Sequence, residues 1–260
     1  MKNLTAIPGV PPLIACFALL VAWEFAARLI GLESLPTAWQ TLQSLPAILS
    51  DPESLLDIAS SIRRMVIGFA LAAAFAIPVG LMMGRSRTVA AFFNPLFMMI
   101  YPVPKAALMP IIMLWLGIGD ASKTLVIFLG VSLPLIYHTY QGARAVSEKL
   151  LWSGAAMGMS ARERLLRIVF PAALPEIMVG ARTGLVLALI TMVTSEMIVR
   201  QAGVGNLLFN ALDMAQYHTV YATIVIVGAL GFILDVIFER LRNVVVGWAD
   251  PVHHIAVGSA

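Results

Sequence analysis

Cysteine is almost absent from the 260-residue chain, and the lone Cys16 can close no intramolecular disulfide and build no cysteine-based metal site. Histidine is nearly as scarce. Of the four present, His253 and His254 stand side by side in the stretch Pro251 to Ala260; no other is placed to complete a ligand set, so no metal is expected. Charged residues make up only 12%, about half the share of an ordinary soluble domain. Three motifs are also missing: G-x-x-x-x-G-K-[ST], which cradles nucleotide phosphates, H-E-x-x-H and G-x-S-x-G. Without them no resident cofactor is expected and no enzyme is indicated.

What is present is apolar. Hydrophobic residues reach 60% and the mean hydropathy is +0.91, where soluble domains carry about 45–50% apolar residues. Runs near 20 apolar residues occur and alternating ten-residue strands do not, which predicts an all-α integral membrane protein. The net charge of +3 comes from basic residues at the ends of apolar runs, not from a stripe on a polar face. That placement argues for the lipid bilayer as partner and against nucleic acid.

Six spans are expected. The first, from about Val10 to Leu29, is longer than the roughly 7–15 residues of a signal-peptide core, and Trp23, Glu24 and Arg28 spoil a cleavage site. Leu35 to Asp57 is polar enough to leave the bilayer as a short surface helix. Ile62 to Met83 forms span two, kinked or thinned at Pro78 and Gly80. Span three, Phe92 to Leu116, is broken by Pro95, Pro102, Pro104 and Pro110 around Lys105; a broken helix at membrane depth belongs where backbone is buried in protein or lines a wet cavity. Thr124 to Tyr140, Ile177 to Ile198 and Val220 to Phe238 complete the set. One side then holds Lys2, Arg85, Arg87, Arg144, Lys149, Arg162, Arg164, Arg167, Arg240 and Arg242, the other only Arg28, Arg63, Arg64, Lys123 and Arg200. The imbalance puts both termini in the cytoplasm. Residues 1–9 are then a cytoplasmic N-terminus, 10–242 one transmembrane domain, and 243–260 a cytoplasmic tail.

The apolar pattern has one polar island, Leu151 to Pro175, within a loop spanning 150–175. Ser160 and Glu163 form a Ser-x-x-Glu capping box, so a short helix is predicted from Ala161. Arg162, Glu163, Arg164 and Arg167 are its polar residues, Leu165, Leu166, Ile168 and Val169 its apolar ones. Gly158 precedes the cap where a reversing chain often needs positive φ, and Pro171 forbids clean continuation. An ordinary basic loop between membrane helices has much the same chemistry.

From Gly158 the chain gives nine residues and then Ile168-Val169-Phe170-Pro171. This resembles the EAA signature of permease subunits of bacterial ATP-binding cassette importers, in which Glu-Ala-Ala, three residues and Gly are followed nine residues later by Ile-x-Leu-Pro. Gly158, Ile168 and Pro171 match, and Phe170 replaces Leu. Trp152-Ser153-Gly154 replaces Glu-Ala-Ala, so the signature glutamate is absent, and Glu148 one turn earlier is no assured substitute. Further stretches, SIRRMVIGFALAAAFAIPVGLMMGRS, YPVPKAALMPIIMLWLGIGDASK and FPAALPEIMVGARTGL among them, are similar to the nitrate, sulfonate and taurine group of these permeases. The resemblance implies a type I importer fold of six transmembrane helices with a cytoplasmic coupling helix, in the bacterial cytoplasmic membrane. It also implies a homodimer docked on separate ATPase subunits and served by a periplasmic or lipid-anchored solute-binding protein, importing a small anionic solute. Gly158, Ser160, Arg162, Glu163, Leu165, Leu166, Ile168 and Pro171 are the candidate ATPase-coupling residues. A secondary transporter or channel subunit is the alternative, and would show two related halves with paired broken helices.

Polar groups inside spans need a partner or a wet surface. Arg182 and Asp235 lie near the cytoplasmic ends of their spans, to pair or to snorkel separately. Arg63 and Glu196 lie near the outer ends, as a pair in an outer gate or as packing. Thr191, Thr194 and Ser195 either line a path or pack helices. Lys105 either contacts an anionic solute or serves structure.

Overall fold

The computed structural model of the protein describes residues 10–249. The expected cytoplasmic N-terminus 1–9, and His253 and His254, lie outside the described residues. Within them every regular element is a helix. They run α1 (Val10–Ile30), α2 (Ala38–Ser50), α3 (Pro52–Arg85), α4 (Arg87–Ile100), a 3₁₀ turn (Lys105–Leu108), α5 (Met109–Leu116), α6 (Asp120–Ala145), α7 (Glu148–Ala156), α8 (Ala161–Arg164), a π segment (Leu165–Val169), α9 (Phe170–Ile198), α10 (Val204–Asp213) and α11 (Tyr217–Val245).

Local chemistry explains most boundaries. Thr37 and Gln40 form a reciprocal capping box at the start of α2. Between α2 and α3, Asp51 accepts from the Ser54 hydroxyl at 2.6 Å and backbone N–H at 2.9 Å, bonds that hold its carboxyl below the usual carboxylate range. The expected break between a surface helix ending at Asp57 and a span starting at Ile62 does not exist. Pro52 suits a first helical turn, nothing after it interrupts the helix, and α3 runs 34 residues.

Four of the helices among the described residues are long and apolar enough to cross a membrane, and a fifth span is counted if the pair 87–100 and 105–116, bent by 85°, is one. Six is therefore not an exact count; it is reached by adding α1, a 21-residue helix. The bent pair, a broken span or a re-entrant loop, coincides with the proline-broken segment 92–116. Lys105 Nζ donates to the carbonyls of Ile100 at 2.7 Å, Tyr101 at 3.0 Å and Val103 at 2.7 Å, satisfying backbone that the break leaves without a ladder.

The chain divides into two compact units. One comprises residues 1–61 and 200–229. In it Trp23 Nε1 donates to the Pro36 carbonyl at 3.1 Å and the Trp23 and Tyr221 rings lie 5.7 Å apart. Asp57 Oδ1 and Ser61 Oγ accept from the backbone N–H of Gly203 at 2.8 Å and Val204 at 2.9 Å, at the start of α10. The other unit comprises 62–199 and 230–260 and centres on α6, whose Val126, Ile127, Val131 and Leu135 are fully buried. Its neighbours approach through glycines: a Cβ on Gly80 of α3 would lie 2.5 Å from Thr139 Cβ, and one on Gly180 of α9 2.6 Å from His138 Cβ.

Pro171 does not end the helix before it, as the sequence implies. Proline lacks an N–H and its ring presses on the carbonyl four residues back, here Arg167. The helix accommodates both by widening one turn: the Phe170 N–H bonds to Leu165, five residues back, and Pro171 falls in the first turn of α9.

Candidate functional site

The polar island folds as a hairpin of short helices. α7 ends at Ala156 with Met157 as its C-cap, Gly158 takes φ +82°, and the Met159 N–H returns to the Gly154 carbonyl at 3.0 Å. The capping box forms reciprocally: Ser160 N–H donates to Glu163 Oε2 at 2.9 Å, and Glu163 N–H to Ser160 Oγ at 3.2 Å. Leu165 and Ile168 pack toward the buried cluster around Val169, while Leu166 is 53% exposed and Arg162 and Arg167 also face outward. Leu165 and Leu166, both coupling candidates, therefore face different surroundings, since adjacent residues on a helix do not share a face. Where the signature expects an acid, Trp152 stands 66% exposed. One turn earlier Glu148 binds Arg85 at 2.7 Å, tying α7 to the end of α3. Gly154, third of the departing triplet, is buried, and a Cβ there would come within 2.7 Å of Ile168 Cδ1.

A second constellation gathers charge. Arg64 bonds both Asp120 Oδ1, at 2.6 Å, and Glu196, while Arg63 bonds the other Asp120 oxygen. Arg64 is 1% exposed and Glu196 fully buried. The expected pairing of Arg63 with Glu196 is therefore displaced by one residue, because 100° of helical turn sends Arg64 inward and Arg63 outward. Arg64 continues a buried face through Gly68, Ala72 and Ala76; that small-residue stripe at a spacing of four was the available signal. Asp120 opens α6. Arg182 does pair with Asp235, through two bonds of 2.8 Å, and lies 3.8 Å from Glu239.

The three hydroxyl candidates spend their donors locally. Thr191 donates to Leu187 at 2.6 Å, Thr194 to Ile190 at 2.8 Å and Ser195 to Met192 at 2.8 Å. Ser195 is fully buried. Thr191 packs on Gly130 and also borders a cavity of about 260 Å³ that holds Lys105 and Tyr101. A larger cavity, about 630 Å³, shares Tyr101 and adds Asn94, Tyr137, His138, Gln141 and Arg144. At its wall His138 Nδ1 lies 2.7 Å from Glu176 Oε1. None of Asn94, Tyr137 and Gln141 is marked out by sequence pattern, and Arg144 is legible only as a topological charge.

Residues 76–245 match the family model described as the binding-protein-dependent transport system inner membrane component. The taurine transport system permease protein TauC of Escherichia coli K12 is 31% identical over 90% of this chain and 87% of its own. The nitrate import permease protein NrtB of Synechocystis is 28% identical over 90% of this chain and 88% of its own. Among solved structures, an inward-facing form of the MetNI methionine ABC transporter superposes with a TM-score of 0.64 at 16% identity, covering 75% of this chain and 99% of that one.

Proposed function

The chain belongs to the binding-protein-dependent transport system inner membrane component family, and from that premise we propose how this permease of an ATP-binding cassette importer works, with what partners and on what solute. Residues 10–242 act as one permease domain, forming with a second copy the path for a small anionic solute such as nitrate, a sulfonate or taurine. A periplasmic or lipid-anchored binding protein delivers the solute, and both chain ends lie in the cytoplasm of a bacterial inner membrane. ATP is hydrolysed on separate subunits, since this chain carries no phosphate-cradling loop.

The observation that carries this reading is the island. A short capped helix with Arg162, Leu166 and Arg167 facing out is a rigid plug for a groove on another chain. Gly158 shapes its entry, Ser160 and Glu163 stiffen it, and Leu165, Ile168 and Pro171 fasten it to α9. Movement of the partner is then passed along a helix that runs on from 161 to 198. Lys105 and Thr191 border the path. Arg63 and Glu196, with Arg64 and Asp120, lock α3, α6 and α9 at the outer end, and Thr194 and Ser195 support that lock by packing.

The test is reconstitution of the chain in proteoliposomes with a cognate ATPase and solute-binding protein. Uptake of labelled taurine, ethanesulfonate or nitrate that requires ATP and the binding protein is the expected result. Uptake driven by an ion gradient without the ATPase would instead select the secondary-transporter reading.

A further inference from the structure

We infer that Arg144 holds a small oxyanion in the 630 Å³ cavity, making this cavity, and not the surroundings of Lys105, the place where the permease itself contacts solute. The inference rests on the reading of the chain as a permease and adds a site and a ligand chemistry to it. Lys105 is the cation that sequence favours for an anion, but an ammonium has three N–H donors, and all three go to the carbonyls of Ile100, Tyr101 and Val103. Nothing remains to meet a ligand.

Arg144 is placed differently. Its guanidinium donates one bond, from Nη1 to the Tyr140 hydroxyl at 2.9 Å, and stands 5.9 Å from the centre of that ring. Among the described residues no carboxylate pairs with it, although Arg85 nearby is paired with Glu148 and Arg182 with Asp235. A guanidinium carries five N–H donors in a planar fork that fits two oxygens of a carboxylate, sulfonate or nitrate at once. The rest of the wall suits the same guest. Gln141 Nε2 donates to the Tyr137 hydroxyl at 3.1 Å, and the imidazole of His138 engages Glu176 at 2.7 Å, so that carboxylate is already matched.

A second cavity of about 580 Å³ shares Asn94, Tyr140 and Arg144 with the first, and there Arg85, Arg87 and Arg144 face the single acid Glu148. Positive charge thus outweighs negative along the whole wall, which attracts anions and disfavours cations before any contact is made. At about 630 Å³ the space is of small-molecule size.

The test uses the assembled permease–ATPase complex. Cys16 is the only cysteine of this chain, so Cys16→Ser with Thr183→Cys puts one thiol of this subunit on the cavity wall; Met98→Cys, on the same cavity, serves if the first variant does not assemble. Labelling by N-ethylmaleimide is timed with ethanesulfonate, nitrate, acetate or choline present. At least one of the three anions slows labelling about fivefold, and choline does not. Arg144→Gln raises the half-protecting concentration about tenfold, and Arg144→Lys, which keeps the charge without the fork, raises it less. Equal protection in Arg144→Gln, or no protection by any anion, overturns the site. ATP-driven uptake by the same complex is scored separately. Import without anion protection keeps the permease and discards the site; Arg144-dependent protection without import keeps the site and discards the permease.

Discussion

Arg63 and Arg64 are neighbours in sequence with opposite surroundings, and their stabilities of contact should differ accordingly. The Arg63–Asp120 pair is more than half exposed on the arginine side, so Arg63→Ala should cost less than about 1 kcal/mol. Glu196 is fully buried against a buried Arg64. Glu196→Ala should therefore cost about 3 kcal/mol, the lower end for a broken buried pair because Asp120 still binds Arg64. Denaturant unfolding of the purified subunit in detergent distinguishes the two, and equal costs would show that Glu196 is not the anchor. The same residue-level accounting favours the structural alternative for Lys105. Lys105→Ala should leave the KM for uptake within about twofold of wild type, yet lower stability by about 1–3 kcal/mol, because three carbonyls at the helix break lose their donor. A KM raised tenfold at unchanged stability would make the lysine a solute contact.

At the scale of elements, α6 shows how its neighbours come so close. Gly180 faces His138 Cβ at 2.6 Å, an atom next to the α6 backbone that cannot swing away, so Gly180→Ala should push α9 from α6 and cost about 1–3 kcal/mol. Gly154 faces Ile168 Cδ1 at 2.7 Å, with Met159 Sδ at 3.3 Å and Arg164 Cγ at 3.4 Å, all on flexible side chains that can shift aside; Gly154→Ala should cost less than half as much. Thermal unfolding of the two variants side by side decides the matter, and similar losses would mean that the helices relax equally at both places. The elements were legible to different degrees for the same physical reason. Long apolar runs announced the spans, and the prolines around Lys105 announced the broken one, because composition alone sets those. Ser160 and Glu163 announced their cap because a capping box is local in sequence. The π turn before Pro171 was not legible, since proline can stop, kink or widen a helix and packing of Val169 and Ile168 selects among these. The Arg64–Asp120–Glu196 cluster was half legible: intramembrane charge demanded a partner, but the choice of partner depends on helix rotation and on contacts 56 and 132 residues apart.

At the scale of the whole molecule, the proposed coupling role requires one surface that holds the fold and another left open for a driving subunit, and Leu165 and Leu166 are the residues on which that proposal is tested. Leu165 packs toward the buried cluster, so Leu165→Asp places a carboxylate against apolar side chains and should reduce folded protein before assembly is at issue. Leu166, 53% exposed, can become aspartate with little change in thermal stability. If the island docks on an ATPase, Leu166→Asp should nevertheless abolish co-purification and ATP-driven uptake, since a charge replaces an apolar contact between Arg162 and Arg167 on the docking face. Ser160→Ala should act between these extremes. It loses a helix cap worth about 1 kcal/mol without touching the docking face, so the complex should still form while uptake falls, because a frayed plug transmits movement poorly. Pull-down of the ATPase and uptake, measured on all three variants, separate folding, docking and transmission. Normal co-purification of Leu166→Asp would remove the island from the interface and leave its capped helix with a role only inside this chain.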